Sequence, residues 1–208
     1  MKPLALKPIL AQLNEAHAEL VRLFARMQFV VFGEVLDEDV KNLEASVALQ
    51  EQRDPLTEEA VFAVLSNAYR HLNIAWNFRH ASEERISCCT PADCARWSRF
   101  PTNAVFRDLK PVSSQRREKP RKSVERGFNP NSLQSAFLQM AVRKLNILRY
   151  KVSCALGDAA PEKVTRPKGL FPEVDAEPFT EKVFGRRMHR IYREMETSWT
   201  YRKWRSKQ

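Results

Sequence analysis

An all-α bundle of five to six helices, broken by a basic, proline-spaced loop near 101–130, is the fold class this sequence predicts. Three observations carry that prediction. Only five glycines occur in 208 residues, and runs of β-branched residues are few. Apolar residues recur at alternating steps of three and four over long stretches, the period of an amphipathic helix. Helix-start signals stand where those stretches begin. Hydrophobic residues make up 43% of the chain and aromatics 10%, enough to form a packed core and too many for wholesale disorder.

The first apolar series is Leu6, Leu10, Leu13, His17, Leu20, Phe24, Met27 and Val31, widened by Ile9, Ala16, Leu23 and Val30. It predicts a helix from about 5 to 32, ending near Gly33. His17 falls inside that seam, so it reads as a satisfied core histidine. Asp37 is placed to cap a second helix through about Gln52, with Val40, Leu43, Val47 and Ala48 inward. Asp54-Pro55 breaks the chain, and Thr57 with Glu58 and Glu59 starts a third helix in the sense the helix dipole favours. Its inward stripe is Val61, Leu65, Ala68, Leu72 and Trp76, with Phe62 and Tyr69 alongside.

Thr90-Pro91-Ala92-Asp93 combines a threonine cap, a first-position proline and an acid in the first turn. It predicts a short helix carrying Trp97 and ending by Pro101. Residues 101–130 read as a loop with prolines at 101, 111, 120 and 130. Asn131 or Ser132 opens a long helix with Leu133, Phe137, Met140, Ala141, Leu145, Leu148 and Val152 inward, ending at Gly157. After a proline-rich connector, a last helix from about Thr180 to Trp204 turns Phe184, Met188, Ile191, Met195 and Trp199 to one side. No repeat of fixed period is present.

Charge divides the chain. The net value is +10, yet residues 1–60 carry 6 basic against 11 acidic side chains, while residues 101–150 carry 11 against 3 and residues 151–208 carry 13 against 8. An acidic front and a basic back suit different partners. The expected organisation is an acidic-to-neutral helical part over 1–100, facing a protein partner through residues 1–60. A basic loop over 101–130 follows, and a basic helical part over 131–208 packs with the first into one domain.

Two basic features point to nucleic acid. The loop carries Lys110, Arg116, Arg117, Lys119, Arg121, Lys122 and Arg126. Lysine and arginine release counterions from a phosphate backbone, and a proline-spaced arm can follow that backbone. On the last helix Arg186, Arg190 and Arg193 form one stripe at steps of four and three, extended by Tyr201, Arg202, Trp204 and Arg205. Arginines fork onto phosphates and aromatic rings stack on unpaired bases. The plainer alternatives are a solvated linker and a solvated helix face. A polar row on the third helix, Arg70, Asn73, Asn77 and His80, either contacts a partner or is that helix's wet side.

Other chemistry is disfavoured. Cys88, Cys89 and Cys94 follow a Cys-Cys-x4-Cys spacing without the second ligand pair a structural zinc site needs, so they read as packing near Trp97, with no metal and no cofactor. His189 among arginines admits a general-base role without requiring one. Phosphate-cradling glycine loops are missing, as are G-x-S-x-G and H-E-x-x-H. No histidine has the upstream arginine that marks the helical ribonucleases, which leaves a degenerate member of that class as an alternative. No apolar run approaches a membrane span, and Met1-Lys2-Pro3-Leu4 does not open a signal peptide, so a cytoplasmic, non-membrane protein is expected. Size, basicity and helix count resemble the small helical subunits of RNA-guided effector complexes, without a motif. The expected function is a non-catalytic nucleic-acid-binding subunit of a larger nucleoprotein assembly. An adaptor using its basic surface against acidic proteins is the other alternative.

Overall fold

Long helices form where the apolar period predicts them. A computed structural model describes residues 3–32, 56–109, 132–157, 164, 166–167 and 177–205. Its elements are α1 (Leu6–Phe32), α2 (Glu58–Asn77), α3 (Glu83–Ser87), α4 (Pro91–Trp97), a 3-10 turn at Ala104–Phe106, α5 (Ser132–Leu156) and α6 (Glu181–Arg205). No strand occurs among the described residues, and the protein is an all-α bundle. The helix expected over 37–52, the basic loop from Lys110 and most of the proline-rich connector lie outside the described residues. None of the described helices is long and apolar enough to cross a membrane.

The four long helices form an antiparallel bundle whose neighbours can be traced from side-chain pairs. His71 of α2 meets Gln12 of α1, and Ala5 N–H donates to Arg79 O, so α1 and α2 run in opposite directions. Phe62, Tyr69 and Trp76 of α2 meet Trp199, Tyr192 and Phe184 of α6 in descending order. Gln134 of α5 meets Ser198 in the C-terminal part of α6, and Lys151 meets Glu177 just before α6 begins. α1 and α5 close the ring through Asn14, His17 and Arg149. The order is therefore α1, α2, α6, α5, each antiparallel to its neighbours. α2 and α5 sit on a diagonal and run parallel, so the chain must travel back along the bundle between them.

The core follows the predicted stripes on α1, α2 and α6, with Leu13, Leu20, Leu65, Leu72, Phe184, Met188, Ile191 and Met195 all essentially inaccessible. Two stripes need correction. Val30 is 43% exposed, and on α5 Leu133 and Met140 are 48% and 44% exposed. The buried face of α5 is rotated towards Gln134, Ser135, Leu138 and Val142, because the helix lies between α1 and α6 rather than against one of them. Gln134 and Ser198 are tolerated inside because each side chain bonds the other's backbone carbonyl.

Caps match the sequence. Thr57 Oγ1 accepts from Ala60 N–H, and Thr90 with Asp93 completes a capping box. α3, capped by Ser82, was not expected from the sequence. One close approach depends on glycine: a Cβ on Gly185 would stand 2.9 Å from Cη2 of Trp76, so α6 reaches the Trp76 ring only without a side chain there.

Candidate nucleic-acid interface

The returning segment 97–109 decides which residues meet at the surface. Asn77 Nδ2 donates to the carbonyls of Trp97 (2.8 Å) and Arg99 (2.7 Å), and Asn73 Nδ2 donates to Ser98 O at 2.8 Å. Tyr192 Oη donates to Asn73 Oδ1 at 2.7 Å, which ties α6 to the same asparagine. Burial holds the Tyr192 and Tyr69 phenols above their usual titration range, so both remain neutral donors. Phe100 and Phe106 then pack edge-on to Tyr192, at 5.3 and 5.6 Å between ring centres. Phe106 is 1% exposed and Leu109 is buried, so this part of the expected loop is core.

Beyond Phe106 the chain is pinned to α6. His189 Nε2 lies 3.0 Å from Asp108 Oδ1 and 3.2 Å from Oδ2, and its ring stacks on Phe106. The hydrogen bond from His189 is the main cause that lowers the Asp108 carboxyl, with a smaller contribution from Arg193. The last described residues before Lys110 are thus held against α6 beside its arginine stripe.

Arg186, Arg190 and Arg193 are exposed on α6, away from its buried face of Met188, Ile191 and Met195. Arg186 and Arg187 both pair with Glu177, which their charges and hydrogen bonds lower against the opposing effect of desolvation. A solvent-exposed ion pair is worth under about 1 kcal/mol, too little to hold Arg186 from a phosphate. Arg190 and Arg193 make no ion pair among the described residues. For Tyr201, Arg202, Trp204 and Arg205 only the helical backbone is described, continuing the same helix. Lys110, Arg116, Arg117, Lys119, Arg121, Lys122 and Arg126 lie outside the described residues.

Of the polar row expected on one helix, Arg70, Asn73 and Asn77 lie on α2 and His80 lies in the turn beyond its end; the row is largely engaged within the fold and is not simply a wet face. Asn73 is 6% exposed and, with Asn77, fastens segment 97–100. His80 bonds Pro3 O through Nδ1 and Glu181 through Nε2. Arg70 alone of the four is exposed.

The remaining candidates resolve differently. His17 is buried, as its place in the seam predicts, and its Nδ1 lies 3.0 Å from Nη1 of Arg149. Burial first, and the Arg149 charge second, push that imidazole down to about 3, so His17 is a neutral acceptor inside the bundle. The cysteines do not pack into the core beside Trp97: Cys88 and Cys89 are exposed and Cys94 is half-buried. Among the described residues no group of His, Cys, Asp and Glu side chains is arranged to hold a metal ion. Sequence reasoning missed Asp108 as a partner for His189. The signal that could have found it is the apolar set Phe100, Phe106 and Leu109 inside an otherwise polar stretch. No protein-family model matches the chain, and no curated protein or solved structure matches it either.

Proposed function

We propose that this protein is a non-catalytic nucleic-acid-binding subunit of a larger nucleoprotein assembly, contacting phosphates without regard to base sequence. One observation carries the reading. The Asp108–His189 contact holds the residues just before Lys110 against α6, beside the exposed Arg190 and Arg193, and the sequence that follows Leu109 is the basic stretch 110–126. Phosphate contacts would come from Arg190, Arg193 and the basic residues between Lys110 and Arg126, and Tyr201 and Trp204 would offer rings to unpaired bases. The acidic first sixty residues, of which Glu15 and Glu59 are exposed, would face a protein partner because their net negative charge repels the same polyanion.

The test is fluorescence anisotropy with labelled single-stranded RNA, single-stranded DNA and duplex DNA, titrated at several salt concentrations. Binding that weakens steeply with salt, and a shallower slope for R116Q/R117Q/R121Q/K122Q, supports the reading. Absence of binding to all three sinks it for the isolated chain and favours an adaptor for acidic proteins. A second reading, a degenerate helical ribonuclease, is favoured by one feature: His189 held by a carboxylate among arginines. RNA cleavage by the purified chain that disappears in His189→Ala would replace the non-catalytic reading.

A further inference from the structure

The cysteine cluster around the start of α4 has a geometry of its own. Cys89 and Cys94 face each other with their sulfurs 3.6 Å apart, within the reach of an S–H···S hydrogen bond. They flank the start of α4: Cys89 immediately precedes the Thr90 cap, and Cys94 follows Asp93, whose carboxylate bonds Thr90 N–H and Oγ1. That reciprocal cap fixes the backbone between the two thiols, so their approach is built into the helix start. Cys88 is turned elsewhere, with its sulfur against Ser87 Oγ, and Cys154 is exposed on α5.

We infer that Cys89 and Cys94 form a redox-modification site, a preset dithiol that a peroxide converts to an intramolecular disulfide. One thiol, as its thiolate, attacks a peroxide oxygen. The O–O bond breaks, the sulfur becomes a sulfenic acid, and the released hydroxide takes up a proton to leave as water. The second thiol loses its proton and attacks that sulfur; the S–S bond forms and the sulfenic hydroxyl leaves, protonated, as a second water. The two thiols give up two protons and two electrons, and hydrogen peroxide takes both. The hydrogen bond with Cys94 is the main cause that holds the Cys89 thiol above its usual range. Exposure gives the oxidant access.

The test is mild hydrogen peroxide on the reduced full-length protein, followed by alkylation and peptide mass analysis. Cys88, Cys89 and Cys94 all fall in the tryptic peptide 86–96, so fragmentation assigns the link within it. The expected result is loss of two of the four thiols, a peptide lighter by two hydrogens, and restoration by dithiothreitol. Cys88→Ser should leave that product unchanged, while Cys89→Ser and Cys94→Ser should abolish it. Urea-unfolded protein should lose the preference for the Cys89–Cys94 link. A link that uses Cys88 or Cys154 instead, or equal oxidation of all four thiols, would overturn the proposal. So would the same product yield in folded and unfolded protein.

Discussion

Single side chains carry two consequences that can be measured. His17 titrates at about 3 in the folded bundle, against an ordinary value of 6.5, so the unfolded chain binds its proton first. Stability is therefore full above pH 6.5 and falls as pH drops through the window from 6.5 towards 3. Between pH 6.5 and 5, above the range in which the lowered carboxylates titrate, histidines dominate this slope. Half-buried His71, lowered chiefly by desolvation, contributes with the same sign. His17→Gln keeps an acceptor for Arg149 and removes the titration, so urea midpoints should change less from pH 6.5 to 5 than in the wild type; an unchanged slope would refute the assignment. Asn73 gives the second. Asn73→Ala strands the Tyr192 hydroxyl and Ser98 carbonyl, a loss of about 1–3 kcal/mol. Thermal unfolding checks it, and a melting temperature equal to the wild type would remove Asn73 from its fastening role. The burial of His17 is legible in the apolar seam, but the fastening role is not: the offsets of Asn73 and Asn77 put them on one helix side, and only the returning chain supplies the carbonyls they bind.

At the scale of elements, local chemistry is legible and neighbours are not. Thr57 and Thr90 cap the helices they precede because capping depends on residues three apart. The buried side of α5 departs from the predicted stripe at Leu133 and Met140, since an apolar period defines a stripe but not how much of it two flanking helices cover. Gly185 shows the same limit. In an isolated helix Gly185→Ala would add about 1 kcal/mol of stability through helix propensity. Against the Trp76 ring, 2.9 Å from the new Cβ, the crowding costs about 1–3 kcal/mol. The variant should melt below the wild type, with the loosened α2–α6 packing visible as a change in Trp fluorescence. A higher melting temperature would show that Trp76 yields freely.

The whole molecule sets which experiments separate function from folding. α1 supplies Ile9, Leu10, Leu13, Leu20, Leu23, Phe24 and Met27 to the core and packs against both α2 and α5. Deleting it to test the acidic first sixty residues would remove one wall of the bundle, so cooperative unfolding should disappear; a truncated chain that still unfolds cooperatively would contradict this architecture. Charge reversal at exposed Glu15 and Glu59 tests the partner surface without touching the core. On the basic side, R190Q/R193Q should keep the wild-type melting temperature. It should make the plot of log binding constant against log salt shallower by about 0.7–0.9 for each phosphate no longer neutralised. An unaltered slope would take the α6 stripe out of the interface.

Apolar period, caps and breakers determined the all-α class, placed α1, α5 and α6 within a residue or two at each end and marked the starts of α2 and α4, because each signal depends on side chains within a few positions along the chain. The split of charge was equally visible, being a property of the sequence alone. The tertiary structure decided that α2 and α5 run parallel on a diagonal, and that segment 97–109 folds back over the α2–α6 seam. It thereby decided that Phe106 is core, that Asp108 meets His189, and that Asn73 and Asn77 fasten a loop. Those pairings join residues about 20 to 120 positions apart, and no local pattern encodes them, since they follow from which surfaces remain to be buried once the long helices have packed.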